Sequence, residues 1–218
     1  MKLGDLKISA LKLMFANYED EITGMSIDTL SANENYGSYL VNMNESVNRA
    51  LDKITASKVL PNKVVRLNES DSTPASTGNV RFDLGSIIED FYSVGSIFYF
   101  GELGAILQPT FVYAARQLFI SEDLADGVYV DYFPKVDHIS LTAGDNLELD
   151  IPDYIASYIP YFIKSDLFEE DEPSAAQEAR AIFERHMVQL AAEAKEGARK
   201  YSGGSGKVKI IYSMGDLS

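Results

Sequence analysis

The sequence predicts an α+β protein: a helical bundle built from both ends of the chain, an inserted small β-sandwich or barrel-like domain, and an extended C-terminal tail. Three observations predict it. Apolar residues recur at helical spacing near both ends, through Leu40–Ile54 and again through Ala176–Ala194. Between them lie short β-branched and aromatic runs punctuated by Gly, Asn and Pro. The last helical pattern gives way to Ser202-Gly203-Gly204-Ser205-Gly206, a linker composition, and then to Lys207-Val208-Lys209-Ile210-Ile211-Tyr212, a strand pattern without an obvious partner in the chain. The expected divisions are a helical domain of 1–57 with 145–200, a β-rich domain of 62–141, and a linker and docking strand over 201–218.

The first helix is expected over 5–17, with Asp5 as its N-cap and Leu6, Ala10, Leu13 and Met14 on one face. Residues 18–38 are polar and read as a loop with room for one helical turn. A second helix follows over 38–57, its stripe formed by Leu40, Met43, Val47, Ala50, Leu51 and Ile54, and Pro61 stops anything beyond Leu60. Strand patterns appear at 64–67, 80–84, 111–113 and 128–132, with further strands in 87–100 bending near Gly95, for about six in all. Residues 70–79 read as a turn or hairpin tip, and Gly101, Gly104 and Gly127 mark other turns. Asp150-Ile151-Pro152-Asp153 then announces a helix over 152–168, kinked or split at Pro160, with Ile155, Ile159, Phe162, Ile163 and Phe168 as core. After the polar break Glu169–Glu172, Pro173 opens a last helix to residue 200. Ala176, Ala179, Ile182, Phe183, Met187, Leu190 and Ala194 form its stripe. The short connection predicts that these two helices pack antiparallel.

Composition narrows the function. The 218 residues are 46% hydrophobic, enough for a true core. No apolar run reaches the length of a membrane span, so no membrane association is expected. Met1–Asp5 has no basic flank leading into an apolar stretch, so no secretion signal is expected and the chain is expected to be made and used in cytoplasm. The absence of cysteine removes thiolate catalysis, disulfides and Cys-based zinc sites. The formal charge of −14 opposes a free-standing nucleic-acid binder. The charge is also uneven: 145–172 carries nine acids and one base, 199–218 four bases and one acid. That pattern fits either a solvated acidic surface with a mobile tail or a polar molecule meeting a complementary partner at one end.

No constellation of residues points to an active site, and no cofactor or metal is expected. There is no phosphate-binding loop or nucleophile elbow, and the Gly203–Gly206 stretch follows a helix rather than preceding one. Glu169–Glu172 lack the Gly and Asn spacing of a calcium loop. His138, in an expected strand, and His186, on the polar side of the last helix, read as surface or hydrogen-bonded residues. A pair of facing carboxylates on the β-domain would make a glycan-hydrolysing or glycan-binding protein, although there is no Trp for sugar stacking. The 13 Tyr and 11 Phe suit core packing and subunit contacts better than base stacking, since few bases accompany them.

The helical frame carries a resemblance. It comprises Leu3-Gly4-Asp5-Leu6, the run Tyr39–Ile54, Leu149-Asp150-Ile151-Pro152, Ile159-Pro160-Tyr161-Phe162, the acidic break, and Pro173-x-x-Ala176-x-x-x-x-x-x-Phe183. This layout, about half the chain, resembles the head-to-tail adaptor proteins of tailed bacteriophages, of the tail tubular protein A or gatekeeper type. The resemblance implies a non-catalytic virion protein of the neck or tail, made in the host cytoplasm. It implies a homo-oligomeric ring, typically of twelve copies, docked under the portal protein and above a downstream tail or neck protein. Genomic DNA would pass through the ring without sequence-specific binding. It also implies that the C-terminal segment reaches the portal, which makes Lys207, Val208, Lys209, Ile210, Ile211 and Tyr212 the expected contact. A tail-completion or tail-tube protein is the nearest alternative.

Overall fold

The structure, a computed structural model, describes residues 1–76, 78–101 and 106–202. It is mixed α+β, with helices and two four-stranded antiparallel sheets. The chain divides into two units, one of Met1–Leu60 with Lys135–Ala191 and one taking Pro61–Pro134. Residues 135–141, expected with the strands, therefore lie with the helices, where Val136 and Ile139 pack against the helical core.

Helix α1 spans Leu3–Met14 and buries Leu3, Leu6, Ala10, Leu11 and Met14. Asp5 is not its N-cap: Lys2 holds that place without a side-chain cap. The first N–H groups find backbone partners instead, Leu3 N donating to Leu147 O and Gly4 N to Asp145 O, both at 2.8 Å. A helix whose orphan donors are met by a neighbouring segment needs no capping side chain. The expected loop 18–38 holds two short helices, α2 (Glu19–Thr23) and α3 (Ile27–Ser31), which bury Ile22 and Leu30. Helix α4 runs Gly37–Ser57 and ends on Lys58 in the left-handed region (φ 54). Gly37 is required there, because a Cβ would sit 2.5 Å from Ser31 O. All six residues of its expected apolar stripe are buried.

In the β unit, sheet order is β1-β8-β4-β5 and β2-β3-β7-β6. The strands are β1 (Lys63–Arg66), β2 (Ser72–Ser76), β3 (Asn79–Asp83), β4 (Phe91–Phe100), β5 (Ile106–Leu107), β6 (Phe111–Ala114), β7 (Gln117–Ser121) and β8 (Val128–Pro134). Helix α5 (Leu84–Ile87) precedes β4. Both sheets contribute to one buried cluster that includes Val80, Phe82, Phe91, Ile97, Leu118, Ile120, Val128 and Val130. The stretch 70–79 is more than a turn: Ser72–Ser76 pairs with β3, and Pro74 is tolerated because β2 is an edge. The expected bend at Gly95 is an irregularity in one continuous strand, with register shifts between Phe91/Ser93 and Val94/Ser96. Strand β7 had no sequence signal, and neither did β5. The expected turn at Gly104 falls outside the described residues.

The expected helix 152–168 is split into α6 (Asp153–Ala156) and α7 (Ile159–Leu167), with Pro160 in the first turn of α7. Proline fits there because that N–H would lack a partner in any case. Helix α7 packs chiefly against α1 and α4. Lys164 Nζ donates to Leu13 O at 2.7 Å, placing a cation on the C-terminal carbonyls of α1. Helix α8 spans Pro173–Ser202 and buries Ala176, Ala179, Phe183 and Met187. Ala194, expected on that stripe, is exposed, as is Val188.

Candidate interaction surfaces

The apolar residues of the α7 and α8 segments that carry the adaptor resemblance are mostly core residues. Ile159, Pro160 and Phe162 are buried in α7, and Phe183 and Ala176 in α8. The rings of Phe162 and Phe183 meet edge to face at 5.1 Å, and Tyr158 stacks on His186 at 4.0 Å. The two pairs run in opposite order along α7 and α8. His186 is thus half-buried against a ring rather than solvated on a polar face. The acidic break is used locally: Tyr39 OH donates to Asp171 Oδ2 at 3.2 Å, and Glu169 faces Arg180 at 3.7 Å. Among the described residues no group of His, Asp and Glu is arranged to hold a metal ion.

The β unit carries apolar residues outward. Along β8, Val128, Val130 and Tyr132 enter the core while Tyr129, Asp131 and Phe133 take the other face. There Phe98 stacks on Tyr129 at 5.5 Å, and Phe100 meets Tyr129 at 5.1 Å. Phe100 is 46% exposed. On the second sheet, Phe119, Val112 and Asn79 line an open hollow of about 390 Å³ beside the edge strand β6. That strand reads Phe111-Val112-Tyr113-Ala114, with Val112 62% exposed and no charge along it. The opposite edges are guarded, β1 by Lys63 and Arg66 and β2 by Pro74. Aromatics alternate in two strands legible from the sequence, 128–132 and 111–113; that the second is an edge is not legible from it.

Two β-unit carboxylates have shifted titration. Burial works to raise Asp90, but hydrogen bonds from Lys63 Nζ (2.7 Å) and Tyr132 OH (2.8 Å) outweigh it and hold the carboxyl below its usual range. Tyr132 is in turn raised well above an ordinary phenol, by burial first and by Asp90 second. Asp131 is raised by burial, against hydrogen bonds from Asn62 (3.2 Å) and Ser96 (3.3 Å). Tyr132 and Asp131 are neighbours in one strand and take opposite faces, so Asp90 and Asp131 do not face one another across a cleft. His138 lies in an irregular segment rather than a strand, with Nε2 2.8 Å from Asp52 Oδ1, and both side chains are exposed. The expected portal contact, Lys207, Val208, Lys209, Ile210, Ile211 and Tyr212, lies outside the described residues, as does the linker from Gly203.

No family model matches the chain. No curated protein matches it with significance.

Proposed function

We propose that this chain is a head-to-tail adaptor of a tailed-phage neck, a structural ring subunit between portal and tail. The observation that carries the reading is the place of the resembling segments in the fold. Leu3–Leu6, Tyr39–Ile54, Ile159–Phe162 and Pro173–Phe183 come from both ends of the sequence and share one buried core. On this reading the helices form a bundle with α7 and α8 as an antiparallel hairpin, and the two sheets form a sandwich inserted into it. The shared buried cluster of the sheets supports the sandwich, and the opposed order of the ring pairs supports the hairpin.

A ring subunit needs extended surfaces that meet their like. The uncharged β6 edge and the outward ring of Phe100, seated on Tyr129, are the surfaces of the β unit suited to this. A conduit for DNA must not grip phosphate, and a chain of charge −14 avoids that attraction. Portal docking falls to Lys207–Tyr212 beyond the Gly-rich linker, a segment whose strand pattern suits addition to another sheet. The test is a mixture of the protein with its portal, followed by light scattering and electron micrographs averaged down the symmetry axis. Rings joined to portals are expected. Monomers alone, with no complex, would remove the proposal. Deleting 202–218 should weaken docking and leave the circular dichroism unchanged.

A further inference from the structure

The second sheet ends on β6, which pairs with β7 alone among the described strands. An edge strand leaves a row of N–H and C=O groups pointing away from the sheet. This edge also leaves the core face of the sheet unfinished. Phe111 stands opposite Ile120 and Tyr113 opposite Leu118, so these four residues share one side. Ile120 and Leu118 are buried, whereas Phe111 is 40% exposed and Tyr113 only partly buried. On the other side Val112 is exposed, beside the hollow it lines with Phe119. A further strand laid along β6 would bond the open backbone and cover apolar side chains on both faces. The other edges are less open. β1 carries Lys63 and Arg66, β2 carries Pro74, and β5 has two residues.

The sequence holds a strand pattern to match. In an extended Lys207–Tyr212, Val208, Ile210 and Tyr212 fall on one face and Lys207, Lys209 and Ile211 on the other. The first set suits the core side beside Phe111 and Tyr113, and the second suits the outer side, where the lysines stay in water. Charge points the same way. Residues 199–218 hold four bases and one acid, a charge of +3, which leaves −17 on the remainder of a chain of −14. Copies so acidic repel one another, and a basic segment passed from one to the next offsets that repulsion. Only Gly203–Gly206 separate α8 from Lys207, a reach of about 14 Å at full extension. So short a hinge favours exchange between copies over folding back. We propose that the β6 edge takes the Lys207–Tyr212 segment of a second copy of this chain as a fifth strand. Donor and acceptor are different surfaces, so the contact is heterologous and propagates to a ring or a filament instead of closing a pair. The inference concerns the protein without its portal and does not rest on the adaptor reading. A segment on β6 cannot also pair with a portal, so the two associations compete.

The test follows the full chain alone by sedimentation over a concentration series, where the parent should self-associate. Val112→Lys spoils the acceptor and Ile210→Lys the donor, and each should weaken self-association about tenfold. Mixed together, the two variants should form a one-to-one complex, because one keeps its donor and the other its acceptor. Where circular dichroism shows that Val112→Lys disturbs the fold, Ile210→Lys alone decides. A parent that stays monomeric, self-association that survives Ile210→Lys, or folded variants that stay apart when mixed would each overturn the proposal. Portal docking is compatible with all three of those results, so failure here leaves the adaptor reading standing.

Discussion

In the helical unit, side chains of α4 turn polar groups inward, whereas in the β unit β4 and β8 turn aromatic rings outward. Asn48 exchanges two hydrogen bonds with the backbone of Ile139, at 2.9 and 2.8 Å, and Asn44 Nδ2 donates to Leu141 O at 2.9 Å. Thr55 Oγ1 accepts from Val136 N at 3.2 Å. These residues lie on one face of α4 and fasten 136–143, an irregular segment whose backbone groups have no ladder to join. The β unit satisfies its backbone by antiparallel strand pairing, so its side chains are free to pack on one face and to turn apolar surface outward on the other. The difference teaches that an irregular segment draws buried amides to itself, while a sheet can keep apolar residues for a second surface.

The comparison breaks first at the core of the β unit. Phe82 is fully buried in the cluster shared by both sheets. Phe82→Ala should cost about 3–5 kcal/mol in urea unfolding, the largest single loss among these substitutions. Asn48→Ala tests the opposite arrangement. It strands one part-buried N–H and one C=O of Ile139 and should cost about 1–2 kcal/mol, with faster amide exchange confined to 136–143. Lys7→Ala removes the buried ammonium 2.7 Å from Asp145, whose side chain is 36% exposed. Because water reaches Asp145, the loss should be about 1–2 kcal/mol, less than for a fully buried pair. Val112→Lys should alter stability by less than about 0.5 kcal/mol and reduce self-association in sedimentation. A variant that associates like the parent would remove β6 from the candidate interface.

What the sequence made legible follows the same division. The α4 stripe Leu40, Met43, Val47, Ala50, Leu51 and Ile54 could be read because an uninterrupted helical period reports burial directly. Its inward Asn44 and Asn48 could not, since an amide carries no periodic signal and its partner lies about ninety residues on. Strand β7 was missed because its hairpin turns on Ala115 and Arg116, both at positive φ (50 and 65), where Asn-Gly or Asp-Gly would be the recognisable signal. Tertiary contacts hold that turn. Arg116 Nη2 donates to Phe91 O at 2.6 Å, and its backbone carbonyl accepts from Leu84 N at 3.0 Å. The packing of 18–38 is hidden in the same way, because its polar composition reads as a loop although Ile22, Leu30 and Tyr36 are buried.

The smallest effects separate the two faces of β8 by pH. Asp90 is held below its unfolded value by Lys63 and Tyr132 in spite of burial, so folding favours its ionised form. The stability it contributes is present above the ordinary carboxylate range near 4 and is lost as pH falls through the lower folded value. Asp131 has the reverse sign. Burial raises it, so the folded chain holds its proton more tightly than the unfolded chain, and stability falls as pH rises from about 4 through the raised value. Asp90→Asn should therefore lower stability at neutral pH and flatten the acid limb of the unfolding midpoint against pH. Asp131→Asn should raise stability at neutral pH and remove the decline that begins just above the usual carboxylate range. If both substitutions moved the midpoint in the same direction at neutral pH, the opposed environments of the two faces would be wrong. Matching midpoints at pH low enough to protonate both carboxylates would show that the differences arise from ionisation rather than from packing.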